Sequence, residues 1–400
     1  MLFARANVST SLCLTLIASA ALADEPRGVT KTEIKIGQTM PYGGPVSAFS
    51  MLGKSEIAYF QMVNERGGIN GRKVTLISYD DGYAPPKTVE QTRRLVEEDG
   101  VAFIFSTIGT AHNTATAKYL QSKGVPQLFI GSGASKFNDV AQFPLTIMGV
   151  QGSFRSEARN YARHALAAKA SARFAILAQN DDFGRDYIAG VRDVLGPDFD
   201  ARTTVATYEV ADPTIDSQVI ALKATGADVL IGAVTPKFAA QMIRGVHEIG
   251  WKPMFFLSNV AIWISSVMEP AGVERGIGIL SSAYVKDPMD PAWTDDPGRK
   301  TFMEFMAKYM PGADFRDQNF VNGYNSAMTL EAVLRACGDD LSTANIMRQA
   351  QSIRDLELPM LLPGIKVSTG PTDHMPVKQM QLMRFDGKQW VRFGGLQNGE

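Results

Sequence analysis

The chain has 400 residues, with 40 Lys and Arg against 41 Asp and Glu and a formal charge of -1 at pH 7. It lacks the basic excess that a nucleic-acid or polybasic membrane-surface binder needs, so no nucleic-acid partner is expected. With 45% hydrophobic and 20% charged residues, it has the composition of a packed globular protein, long enough for two lobes with a core each.

Met1 to Ala23 carries one basic residue, Arg5, an apolar run from Leu12 to Leu22, and the small-residue ending Ala21-Leu22-Ala23. That is the pattern of a cleaved secretory signal, and its apolar stretch is shorter than the roughly 20 residues that span a bilayer. Cleavage removes Cys13 and leaves Cys337 alone. An internal disulfide or a thiolate metal site is then ruled out, and the product is expected outside the cytoplasm.

After the signal, short apolar runs alternate with helical patterns. Glu33 to Gly37, Val74 to Ile77, Ala102 to Phe105 and Gln127 to Ile130 read as strands, the last two as strands covered on both faces. Helices are predicted over Met51–Glu65, Lys87–Glu98 and Asn113–Lys123. In the first, Ile57, Phe60 and Val63 recur at helical spacing and Gly67-Gly68 supplies the stop. The rhythm restarts after Gly152, with helices over Ser153–Ala168, Gly184–Leu195, Ser217–Ala224 and Phe238–Ile249. Strands lie among them at Phe174–Leu177, Val205–Tyr208, Val229–Ile231 and Met254–Leu257. Strands separated by single helices imply right-handed βαβ units and mostly parallel sheets, so two series give an α/β fold of two doubly wound, Rossmann-like lobes. From about Asp287 helices dominate (Arg299–Tyr309, Phe320–Cys337, Thr343–Ala350), and the chain ends in strand-like Gln379–Phe385 and Trp390–Phe393. This tail is too poor in strand to form a third sheet and is expected to complete the two lobes.

Signals of enzymatic chemistry fail one by one. The four His residues, at 112, 164, 247 and 374, stand in no ligand spacing. Gly131-Ser132-Gly133-Ala134-Ser135 has the wrong register for a nucleophile elbow. Gly53-Lys54-Ser55 imitates the end of a phosphate-binding loop, but Ala48 stands where its first glycine belongs. The pairs Asp80-Asp81 and Asp181-Asp182 each follow a strand, where Asp accepts backbone hydrogen bonds or caps the next helix. No catalytic residue, metal site or cofactor is expected.

Several stretches together resemble the leucine/isoleucine/valine-binding family, the type I periplasmic solute-binding proteins of ABC importers. They are Pro41-Tyr42-Gly43-Gly44-Pro45 after the opening strand, Asn64-Glu65-Arg66-Gly67-Gly68-Ile69-Asn70-Gly71-Arg72, and Tyr79-Asp80-Asp81. Lobe two adds Gln179-Asn180-Asp181-Asp182-Phe183-Gly184 and Thr225-Gly226-Ala227-Asp228-Val229. The resemblance implies a periplasmic monomer that performs no chemistry. It implies lobes of 29–149 plus 284–375 and 150–283 plus 376–400, joined by crossovers and closing by a hinge over a small solute. Its partners are then that solute, an amino acid of the branched-chain or hydrophobic type or a related carboxylate, and ABC permease subunits in the inner membrane. A ligand-sensing regulatory module is the reading from a different class.

In such sheets solutes bind beyond the carboxyl ends of strands, where helix N-termini offer free N–H groups. Two loops of small and hydroxyl residues fit, Thr107 to Thr110 and Gly131 to Ser135. Carried over by position, the family's carboxylate contacts fall near Gly109 and Thr110, its second-loop contacts on Gly133 and Ser135, and its aromatic walls on Phe49 and Phe183. Tyr324 is a further wall candidate. Where amino-acid binders of the family hold the α-ammonium with an acidic residue, the register places Asn259, with Ser258 beside it, and Thr235 stands near a replaced aromatic. An amide oxygen accepts from ammonium without the strength of a carboxylate, which leaves room for an aromatic or keto carboxylate lacking an amine.

Overall fold

A computed structural model of the chain describes residues 26–399; the signal assigned to 1–23, with Cys13, lies outside the described residues. The first sheet holds β1 (Glu33–Met40), β2 (Lys73–Asp80), β3 (Ile104–Phe105), β4 (Gln127–Ile130) and β5 (Thr146–Met148), ordered β2-β1-β3-β4-β5 with every pair parallel. The second holds β6 (Phe174–Gln179), β7 (Thr203–Tyr208), β8 (Val229–Ala233), β9 (Met254–Leu257), β10 (Leu280–Ala283), β11 (Gln379–Phe385) and β12 (Trp390–Asn398), ordered β12-β11-β10-β9-β8-β6-β7. Its pairs from β6 to β10 are parallel, and the two C-terminal strands add antiparallel at one edge. Two mainly parallel sheets with single helical connections are the α/β architecture that the alternating pattern predicts.

The helices are α1 (Ser50–Glu65), α2 (Pro85–Glu97), α3 (Thr110–Ser122), α4 (Phe154–Ala168), α5 (Asp182–Leu195), α6 (Phe199–Arg202), α7 (Asp216–Ala224), α8 (Pro236–Glu248), α9 (Glu269–Ala271), α10 (Pro297–Tyr309), α11 (Asn319–Ala336) and α12 (Thr343–Ala350). Pro85 and Pro86 open α2, where missing N–H groups cost nothing. Gly67 and Gly68 end α1 with φ of 96° and 75°. The buried face of α1 is Leu52, Tyr59, Phe60 and Val63, whereas Ile57, grouped with them from the sequence, is 42% exposed.

The late helices return to the first sheet's helical layer. Ser55 Oγ donates to Phe320 O at 2.8 Å and Tyr59 OH to Glu331 Oε2 at 2.6 Å, tying α1 to α11. At their crossing Gly323 is required, because a Cβ there would lie 2.4 Å from Leu52 O. Two strands, β5 and β10, escape the sequence reading. β5 is three residues long. β10 reads Leu-Ser-Ser-Ala, a polar centre that is nevertheless fully buried because both hydroxyls find partners, Leu257 O of β9 and Glu157 of α4.

Candidate functional site

A cavity lies between the two units, at the carboxyl ends of the parallel strands, where ligands of doubly wound sheets bind. It comprises about 570 Å³ of space between protein atoms, part of it open to solvent. On the first-sheet side stand Phe49 and Leu52 from the start of α1, Tyr83 from the turn after β2, Ile108 to Thr110 from the β3–α3 turn, and Gly131 after β4. On the second-sheet side stand Phe183 of α5, Thr235 before α8, and Asn259, Val260 and Trp263 after β9. The segments running between the sheets add Gln151, Phe154 and Tyr284, and α11 adds Asn319 and Asn322. Among the described residues no Asp, Glu, Lys or Arg lines this cavity.

Local structure explains each position. Gly109 is the N-cap of α3 with φ 110°, and a Cβ there would fall 2.2 Å from His112 Nδ1, so only glycine fits. No side chain caps α3, which leaves its first-turn N–H groups for a solute. Beside them Thr110 Oγ1 and Ser132 Oγ lie 2.8 Å apart. Tyr83 sits at φ 58°, a strained conformation for a non-glycine residue. The turn that holds it is fixed by the Asp pair: Asp81 Oδ1 accepts from Tyr83 N at 2.9 Å, and Asp80 Oδ1 accepts from Gly43 N and Gly82 N. Asp181 likewise caps α5 by accepting from Phe183 N and Gly184 N at 3.0 and 3.3 Å. Asp80, Asp81 and Asp181 therefore build turns and a cap, while Asp182 pairs with Lys136 and Arg185.

The remaining polar groups are braced from behind. Thr235 N donates to Tyr208 OH at 3.0 Å, and burial pushes the Tyr208 phenol up, so it stays neutral. Tyr284 OH donates to Asn322 Oδ1 at 3.1 Å, and Asn319 Nδ2 to Ala48 O at 3.3 Å. Asn259 N donates to the buried Glu157 Oε1 at 3.2 Å. Across the mouth, Phe49 and Trp263 meet edge to face with ring centroids 5.0 Å apart, one ring from each side. Behind Gly109, the imidazole of His112 is 2% exposed and lies 4.1 Å from the Tyr83 ring, and burial pushes its pKa down.

Of the residues singled out from sequence, Phe49, Gly109, Thr110, Phe183, Thr235 and Asn259 line the cavity; Gly133, Ser135 and Tyr324 do not. Gly133 is packed against the backbone at Gly152, where a Cβ would meet an oxygen at 2.5 Å. Ser135 turns to α5, its N–H and hydroxyl donating to the two oxygens of Asp186 at 2.8 and 2.6 Å. Tyr324 is a core residue stacked among Tyr59, Phe302 and Phe305. Ser258, the neighbour of Asn259, donates to Val234 O and is buried away from the cavity. Tyr83, Trp263, Tyr284 and the pair Asn319 and Asn322 were missed. Only the Asn pair, spaced i, i+3 at the start of α11 and so on one helix face, carries a local signal.

Comparison with known proteins places this geometry. A relative from Brucella suis, Leu/Ile/Val-binding protein homolog 7, is 24% identical over 357 residues, covering 81% of this chain and 82% of that protein. A branched-chain amino acid ABC transporter protein from Thermus thermophilus, solved with bound valine, superposes with a TM-score of 0.81 at 14% identity, over 92% of this chain and 97% of the other. An ABC transporter solute-binding protein from R. palustris, in complex with benzoate, gives 0.73 at 19% identity, over 90% and 96%. These likenesses establish the type I periplasmic binding fold. The family model described as periplasmic binding protein matches residues 33–389. A chain whose cavity lies between two doubly wound sheets, and which matches that model over nearly its whole length, belongs to the periplasmic binding protein family, a family of binding proteins and not of enzymes.

Proposed function

We propose that this protein captures solute for an ABC importer, and that its solute is a small carboxylate without an amine, carrying an aromatic or bulky apolar body. One observation carries the choice of solute: among the described residues, no acidic side chain lines the cavity. An α-ammonium taken out of water needs a charge-assisted acceptor, and the amide oxygens of Asn259, Asn319 and Asn322 are weak substitutes. An anion fares better, because the uncapped start of α3 at Gly109 and Thr110 offers N–H groups and a partial positive charge. The rings of Phe49, Phe183 and Trp263 suit an apolar body. The benzoate held by the R. palustris protein is a solute of this kind.

In this reading the leader 1–23 exports the chain to the periplasm, where it works as a monomer. The bodies 29–149 with 284–375 and 150–283 with 376–400 close on the solute by a hinge and present it to the permease. Import of a branched-chain amino acid is the competing reading, supported by the valine bound to the Thermus thermophilus protein.

The test starts from mature protein stripped of solute by unfolding and refolding, followed by calorimetry and thermal unfolding with benzoate, 4-hydroxybenzoate, leucine and valine. A solute at about 100 times its Kd stabilises by ~2.7 kcal/mol, which raises the midpoint by about 2–4 °C. The expected result is a higher midpoint with the aromatic acids. A higher midpoint with leucine or valine and none with benzoate overturns the reading.

A further inference from the structure

A buried carboxyl group stands directly behind the second-sheet wall of the cavity at Asn259. Glu157, in the first turn of α4, is fully buried and accepts hydrogen bonds from separate parts of the second unit. They come from Tyr161 OH of α4 at 2.5 Å, Tyr187 OH of α5, Ser282 Oγ of β10, and the Asn259 N–H at 3.2 Å. Asn259 is a wall of the cavity, and so is Tyr284, whose phenol is pushed up by burial and by the charge of Glu157. The carboxyl thus touches one cavity residue and reaches another electrostatically.

The cluster accommodates either protonation state. Tyr161 OH also lies 3.0 Å from Leu257 O, and Ser282 Oγ lies 3.4 Å from Met380 Sδ. When Tyr161 donates to Leu257, its oxygen is free to accept from a protonated Glu157. Burial pushes the Glu157 carboxyl up to about 7, against the pull of its donors.

We propose that Glu157 sets the charge preference of the cavity through Asn259, admitting an anionic solute when it holds a proton and repelling one when it is ionised. This rests on the reading of the solute as an amine-free carboxylate. Glu157 is a positioning residue, because Asn259 stands between it and the solute. An anion placed in the cavity disfavours a second negative charge nearby and raises the affinity of Glu157 for its proton. Binding therefore takes up a proton near neutral pH, and affinity falls as pH rises through the Glu157 pKa.

Among the groups that touch Glu157, no other titrates near neutrality. Tyr161 and Tyr187 are held far above neutrality by burial and by Glu157 itself. Asp186, beside Tyr187 on α5, is turned to Ser135. From β9 and β11 the contacts are Leu257 O, the Asn259 N–H and, through Ser282, Met380. Further round the cavity, Asp181 caps α5 and Asp81 and His112 lie behind Tyr83.

Benzoate is the probe. Calorimetry near pH 7 in two buffers of different ionisation enthalpy reads proton uptake. A series from about pH 5.5 to 8.5 reads affinity, which falls by at most about tenfold per pH unit when one proton is linked to binding. The wild-type protein is expected to take up a fraction of a proton and to bind more weakly at the alkaline end. Glu157→Gln keeps an oxygen for the Asn259 N–H and should bind without uptake and with a flat profile. His112→Asn should still show uptake. Benzoate binding with no uptake in the wild type, uptake that survives in Glu157→Gln, or uptake lost in His112→Asn each overturns the proposal while leaving the solute reading intact. Binding of leucine with none of benzoate removes the solute reading and this proposal together.

Discussion

The two walls of the cavity both receive helix N-termini, but these ends are finished differently. On the first-sheet side α3 starts from Gly109, which has no side chain with which to cap it. On the second-sheet side α5 is capped by the carboxylate of Asp181, which occupies Phe183 N and Gly184 N. There too α8 begins with Pro236, which has no N–H, after Thr235, whose own N–H is spent on Tyr208. Helix ends of the same kind therefore differ in what they offer: α3 presents free donors and partial positive charge, while α5 already carries an anion of its own. Polarity across the cleft comes from capping chemistry, with no Asp, Glu, Lys or Arg of the described residues in the lining. In the proposed reading a carboxylate docks on the first-sheet side, and aromatic rings and amides line the rest.

The sharpest way to break this asymmetry is to spoil the open end. Gly109→Ala must hold a Cβ at φ 110° and at 2.2 Å from His112 Nδ1. Strain of this kind costs about 1–3 kcal/mol in stability, and displacing the loop should lower affinity for the carboxylate by at least roughly tenfold. Urea unfolding and calorimetry read the two effects, and wild-type affinity in the variant would remove the anion site from α3. The next largest effect comes from giving the opposite wall a charge. Asn259→Asp sets a carboxylate beside Glu157, and benzoate should bind about tenfold more weakly, a loss of ~1.4 kcal/mol. Leucine should be helped by the same change. If neither solute responds, the side chain of residue 259 does not face the solute.

The fold was legible because strands such as Gln127–Ile130 and Met254–Leu257 are mainly apolar runs bounded by turn chemistry. β10 was illegible because its serines are buried through bonds to Leu257 and Glu157, partners that only tertiary structure supplies. The same division holds in the cavity. Loops after strands were readable by type, so Gly109, Thr110 and Phe183 were found from local signals and family register. Trp263 and Tyr284 arrive from segments far along the chain, with no periodicity or motif to mark that they face a common space. The run Gly131 to Ser135 shows where local reading stops. Its hydroxyls are plain in the sequence, but that Ser135 turns away from the cavity is decided by Asp186, 51 residues further on.

That last point gives the finest comparison, a pair of hydroxyl deletions that affinity tells apart. Thr110→Val keeps the branched shape and removes the Oγ that pairs with Ser132 at 2.8 Å. Affinity for the carboxylate should fall by about 0.5–1.5 kcal/mol, and stability should fall as well because Ser132 Oγ loses a buried partner. Ser135→Ala should leave affinity alone and act on stability, because its hydroxyl serves Asp186. The sign follows from linkage. Burial holds the Asp186 carboxyl above its usual value even with the Ser135 bonds pulling it down. The native state therefore keeps a proton that the unfolded chain releases, and the stability contributed by this group is lost as pH rises through its native pKa. Without the hydroxyl that pKa rises further. The deficit of Ser135→Ala should thus be near zero below about pH 3.8, the unfolded value, and grow toward neutrality. Urea unfolding at acid and neutral pH checks this. An equal deficit at both would mean that Ser135 holds Asp186 by packing and not by a bond to its charge, and a loss of affinity would return Ser135 to the solute.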